Sequence, residues 1–218
     1  MLRRLMFLLT ATAIALPATA LTTIEKPPDL GPFWQPLSPN GGTYVYSDCF
    51  VAPAGADIHV QALGTWLQEL VSGGVPEGSA TRPDFVPEGG STPDVRFEIW
   101  GDAGGPDAGN VLATTGTLSP EPTGLELVTA PVQLGATPLT PGQVYWFAAT
   151  VVGEQGTGAY QVGGHTQNSV YPDNCTFWYS NDPAGVNFDG QNLTPEMPFS
   201  VTLDEVPLPV ELLSISVE

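Results

Sequence analysis

The chain has 218 residues, with 23 acidic side chains against five Lys and Arg, a formal net charge of −18 and two cysteines. So acidic a chain excludes nucleic acid as a partner, because phosphate binding rests on Lys and Arg, and it disfavours an anionic membrane surface. The cysteines form no CxxC or Cys/His spacing, which argues against a structural zinc site.

In chain order, Arg3 and Arg4 precede an apolar stretch from Leu5 to Leu16, and Pro17-Ala18-Thr19-Ala20 follows as a small-residue cleavage site. That order is expected of a secretory signal peptide over residues 1–20, cut after Ala20. The apolar stretch is shorter than the roughly 20 residues a membrane-spanning helix needs. The alternative, an uncleaved N-terminal anchor, is opposed by Pro17, which breaks the helix. The expected mature chain, Leu21 to Glu218, keeps only Lys26, Arg82 and Arg96 as basic residues and is long enough for one domain with its own core. Its expected division is an extended lead-in over 21–41, a β-sandwich over 42–204 and a tail over 205–218.

With 25 Gly and 23 Pro, long helices have little room. Short runs of period-2 alternation stand in their place, the signature of half-buried strands. Thr43 to Val51 is the first. Asp57 to Ala62 follows, with Ile58, Val60 and Ala62 inward and His59 and Gln61 outward, continuing through Trp66. The clearest run is Asp94 to Trp100, where Val95, Phe97 and Ile99 share one face and Arg96 and Glu98 the other. Further strands are expected at Val111 to Leu118, Leu125 to Val128, Val144 to Val152, Ala159 to Val162, Thr176 to Ser180 and Phe199 to Leu203. Val144 to Val152 is apolar nearly throughout, as a central strand covered on both faces would be. Turn clusters at 101–110, 119–124, 137–142 and 153–158 separate the strands. Eight or nine short strands of this kind predict an all-β fold, an antiparallel two-sheet β-sandwich of jelly-roll type, with a barrel as the competing arrangement. Ser72 to Pro93, rich in Pro and Gly, is expected to be a mobile surface excursion.

Cys49 and Cys175 are expected to pair if the chain is exported, two free thiols being the alternative. Closing a loop of about 125 residues contributes on the order of 4 to 5 kcal/mol in the chain-entropy account.

Three groups of residues could carry function. Asp102, Asp107 and Asn110, in the Gly-rich loop after Trp100, are candidate calcium ligands, since that ion takes carboxylate and amide oxygens. They match no EF-hand spacing, and Asp beside Gly is equally a turn signal. The segment His165 to Asn192 mixes aromatics with Asn and Asp and holds no Lys or Arg. Its Tyr171, Trp178, Tyr179, Asn181, Asp182, Asn187, Asp189 and Asn192 could stack a sugar ring and bind its hydroxyls. The competing reading makes Trp178 core packing beside Cys175 and the Asn and Asp residues turn formers. The two histidines, His59 and His165, have no nucleophile motif beside them, so no enzyme is expected.

The run Val95-Arg96-Phe97-Glu98-Ile99-Trp100-Gly101-Asp102-Ala103-Gly104-Gly105-Pro106, then Val111-Leu112-Ala113, then Leu139-Thr140-Pro141-Gly142-Gln143-Val144-Tyr145-Trp146-Phe147, resembles the bacterial extracellular β-sandwich domains often called choice-of-anchor domains. The resemblance covers roughly Gly42 to Leu203 and implies a sandwich outside the cell, with no functional residues to carry over. Val206-Pro207-Leu208-Pro209-Val210-Glu211-Leu212 resembles the PLPVEL linker of many secreted bacterial proteins. The function expected from all this is a secreted or cell-surface module that binds glycan or matrix polymer. A non-binding structural component of such a matrix is the alternative, and a polysaccharide hydrolase a more distant one.

Overall fold

The computed structural model describes residues 20–28, 34–37, 44–54, 56–69, 94–122, 125–133, 136–152, 160–163, 177–180, 182, 188, 190–192 and 197–206. Residues 1–19, the 70–93 segment, His165, Cys175 and the tail beyond Val206 lie outside them. The described chain is all-β, in two antiparallel sheets.

The strands are β1 (Ala20–Lys26), β2 (Trp34–Leu37), β3 (Val45–Val51), β4 (Ala56–Glu69), β5 (Asp94–Asp102), β6 (Pro106–Thr114), β7 (Glu126–Pro131), β8 (Val144–Val152), β9 (Tyr160–Gly163), β10 (Phe177–Ser180), β11 (Gly190–Asn192) and β12 (Phe199–Val206). Eight of them run for six residues or more and four have three or four; the nine expected strands correspond to β3 through β10 and β12, while β1, β2 and β11 add to them. The first sheet holds β1, β12, β4, β9 and β2, with β7 also on β4; the second has the order β11-β10-β3-β8-β5-β6. Only β5–β6 and β10–β11 are neighbours in both sequence and sheet. The other connections cross between or over the sheets, so two packed layers form and not a meander.

The core lies between the layers. Ile58, Val60, Leu63, Leu67, Phe199, Val201 and Leu203 of the first sheet meet Tyr46, Phe50, Val95, Phe97, Ile99, Phe147 and Phe177 of the second. Phe147 and Phe199 stack across the gap with centroids 5.2 Å apart. β8 sits between β3 and β5 and is buried on both faces from Tyr145 to Val151, because its apolar run gives neither face to water.

Several expectations are corrected. The described parts of the 21–41 lead-in, 21–28 and 34–37, supply β1 and β2 to the first sheet, so the sandwich includes them. Its Lys26 is 1% exposed and reaches across the layers to Asp48 on β3, which is fully buried. Asp48 also accepts the backbone N–H groups of Cys49 and Met197, at 2.7 and 2.8 Å, and Lys26 Nζ donates to the Cys49 carbonyl at 3.2 Å. A charge can be buried this deeply only when such bonds replace water. The inward phase of β4 breaks at Ala62, since Leu203 pairs with Val60 and Thr202 with Ala62, leaving Gln61 as a bulge. The bulge turns Leu63 and Leu67 into the core in place of Ala62. Beyond it, Gly64 lies against β7, where a Cβ would come within 2.6 Å of Thr129 and of the Val128 carbonyl. Finally, β6 begins at Pro106 inside the expected turn cluster and ends at Thr114; Leu118 is held to Val95 only by an isolated bridge.

The entry into β8, from Leu139 to Tyr145, is turn and strand chemistry. Leu139 is buried, Gly142 takes the left-handed turn at φ 72°, and the Thr140 N–H donates to the Tyr145 hydroxyl at 2.7 Å, which locks the turn onto the start of β8.

Candidate functional site

A second apolar cluster lies on the outer face of the second sheet. Inward parity of Val95, Phe97 and Ile99 on β5 turns Arg96, Glu98 and Trp100 outward, and the same alternation turns out Trp146 and Ala148 of β8, Val45 and Cys49 of β3, and Trp178 of β10. Trp100 pairs in register with Trp146. Trp146 meets Trp178 edge to face at 6.3 Å, and Phe188 meets both Trp178, at 5.9 Å, and Trp100, at 6.1 Å. Trp100 and Trp146 are buried, while Trp178 and Phe188 are half-buried.

Each inner indole is tied to a carboxylate. Trp100 Nε1 donates to Glu98 at 3.1 Å, and Glu98 in turn faces Arg96 Nε at 2.9 Å. Trp146 Nε1 donates to Asp102 Oδ1 at 2.9 Å, an oxygen that also accepts the Gly105 N–H at 3.0 Å. Gly105 itself lies beside Trp178, a Cβ there coming 3.5 Å from the indole. Asp102 is exposed. The end of this face thus presents a half-buried indole and a carboxylate held by two donors, joined through Gly105.

The structure divides the predicted glycan set. Trp178 is in the outer cluster. Tyr179, one residue on, points the other way, packs beside Phe177 at 6.2 Å and borders the main core. The two aromatics therefore do not share a surface, as strand alternation requires. Asp182 is half-buried, and its N–H donates to Ser180 Oγ at 3.1 Å, which is turn chemistry. Asn192 ends β11 opposite Phe177. Tyr171, Asn181, Asn187 and Asp189 lie outside the described residues.

The predicted calcium ligands are separated as well. Gly101 pairs with Asp107 and Asp102 with Pro106, so the two carboxylates leave opposite faces of the hairpin. Asp107 accepts the Gly109 N–H at 3.1 Å, the Asx turn that starts the bulge at Ala108 to Asn110 between Asp107 and Val111. Asn110 folds over Gly101, where a Cβ would clash with its amide. Among the described residues no group of three or more His, Cys, Asp or Glu is placed to hold a metal ion.

Glu98, on the face opposite Val95, Phe97 and Ile99, is 5% exposed, because Arg96 and Trp100 cover it. Lys26 and Arg96 are the only Lys or Arg among the described residues, and both are engaged with carboxylates. Among the described residues, therefore, the accessible part of this face carries negative charge with no uncommitted cation beside it. His59 lies on β4 of the other sheet, opposite Asp204 in register, far in the topology from Trp178. Sequence reasoning missed Trp100, Trp146 and Gly105 as part of this site; parity alone could have placed Trp100, whereas Trp146 and Gly105 needed the strand order.

Comparison of the chain with family models, curated proteins and solved structures finds no match. Among the described residues no helix is long and apolar enough to cross a membrane.

Proposed function

We propose that the chain is exported, loses residues 1–20, and works outside the cell as a β-sandwich module that binds glycan or matrix polymer at the Trp178 end of the second sheet. The observation that carries this reading is the half-buried Trp178 indole beside the anchored, exposed Asp102 carboxylate. An aromatic ring offers the apolar face of a sugar a platform, and a fixed acceptor orients its hydroxyls. The choice-of-anchor resemblance and the N-terminal signal pattern agree with an extracellular setting. A Cys49–Cys175 bridge belongs to the same reading, since the only two cysteines of an exported chain usually pair. The module acts by binding, with no catalytic step.

A second reading, a structural matrix component without a ligand, is favoured by the edge-to-face packing of Trp178 on Trp146 and Phe188, which a purely packed ring would also show. A glycan array decides between them. Trp178→Ala is expected to lower binding by tenfold or more while the circular dichroism spectrum stays that of a folded sheet protein. Tyr179→Ala, on the other face, is expected to lower the melting temperature and keep the binding of whatever protein remains folded. An array on which the unaltered protein binds nothing supports the structural reading.

A further inference from the structure

Which sugars such a site would select follows from its charge. We propose that the Trp178 site takes polymers of amine-bearing sugars, recognising a protonated amine at Asp102 while the pyranose ring lies against Trp178; the proposal rests on the binding reading given above.

Asp102 Oδ1 is committed to two N–H donors, Gly105 and Trp146, which fixes the carboxylate and leaves Oδ2 as the oxygen for a ligand. The residue is exposed, so an incoming group reaches it without opening the fold. Gly105 lies beside the Trp178 indole, where a Cβ would come 3.5 Å from the ring, and its N–H bonds Asp102, so the backbone there links ring and carboxylate. A carboxylate beside an indole is the pairing that favours an ammonium, by a charge-assisted hydrogen bond and by attraction to the π face. The same arrangement repels uronic acids, since Arg96 is drawn to Glu98 and Lys26 is buried against Asp48, so neither offers a cation to an anionic sugar. The mature chain as a whole, with three basic side chains against 23 acids, steers polycations toward it and polyanions away.

The test uses the chain from Leu21 to Glu218 and three probes of equal length: a glucosamine hexamer, the N-acetylglucosamine hexamer and a galacturonate hexamer. Binding is measured by calorimetry at mildly acidic pH and about 0.15 M salt, where exposed charges more than about 8 Å apart are screened. The expected order is glucosamine tighter than N-acetylglucosamine by about tenfold, with galacturonate not bound. Asp102→Asn keeps an acceptor for both N–H donors and so preserves the hairpin; it is expected to erase the tenfold gap by weakening glucosamine binding about tenfold more than N-acetylglucosamine binding. Glu126→Gln, an exposed acid on β7 of the other sheet, is expected to leave the gap intact. The proposal is overturned if Glu126→Gln narrows the gap as much as Asp102→Asn, because the preference would then be diffuse charge. It is also overturned if galacturonate binds as well as glucosamine or if the acetylated sugar binds best, although the binding module would then stand. Failure of all three probes, together with a silent glycan array, overturns the binding reading itself.

Discussion

The second sheet is aromatic on both faces, and the two faces hold their rings differently. On the inner face Phe97, Phe147 and Phe177 interlock with the first sheet and need no polar partner, the one charged feature there being the buried Lys26–Asp48 contact. On the outer face the rings are Trp100, Trp146 and Trp178, and the two buried indoles spend their N–H groups on Glu98 and Asp102. An indole buried against an opposing sheet would lose that partner, whereas at a boundary with water it keeps a carboxylate within reach. The lesson is that a face built of Trp with paired acids is an outer layer, able to stay partly wet, and a face built of Phe is a sealed one.

Three substitutions break or sharpen this contrast. The largest effect is expected from Asp48→Ala, which strands the Lys26 ammonium and two backbone N–H groups in the core; a loss of about 3–5 kcal/mol, read from the denaturant midpoint, is the expected outcome. Phe147→Ala opens a cavity between the Phe199 ring stacked on it and the tilted Phe97 ring and is expected to cost about 3–4 kcal/mol by the same measurement. Trp146→Phe keeps an aromatic ring but removes the donor to Asp102. Its expected cost is only about 1 kcal/mol, and the loss of Trp146 from the near-ultraviolet dichroism band reports the change. A cost for Trp146→Phe as large as that for Phe147→Ala would show the outer face to be as sealed as the inner one and would remove the physical basis of the site.

Much of the fold was legible in the sequence because period-2 alternation is a local signal: the nine expected strands, from Thr43–Val51 to Phe199–Leu203, all have counterparts in the sheets. What escaped was short or broken in phase. β1 and β2 looked like a lead-in because Pro27, Pro28 and Pro36 mask strand propensity, and a buried Lys26 makes sense only once Asp48 stands opposite it. Ala62 was misplaced because a one-residue bulge at Gln61 shifts parity without leaving a mark in composition. The site was half legible. Trp178 and Asp102 were both singled out, but for separate ligands, 76 positions apart in the numbering, and Tyr179 was grouped with Trp178 although adjacent strand residues face opposite ways.

By itself the sequence determined the all-β class, the positions of nine strands, the inward residues of β5 and the double burial of β8, all set by alternation and turn chemistry within a few residues. Only the tertiary structure decided that Asp102 parts from Asp107 and joins Trp146, Gly105 and Trp178. That grouping depends on β10, β3, β8 and β5 lying side by side, an order set by long-range packing of two sheets and invisible to any local pattern.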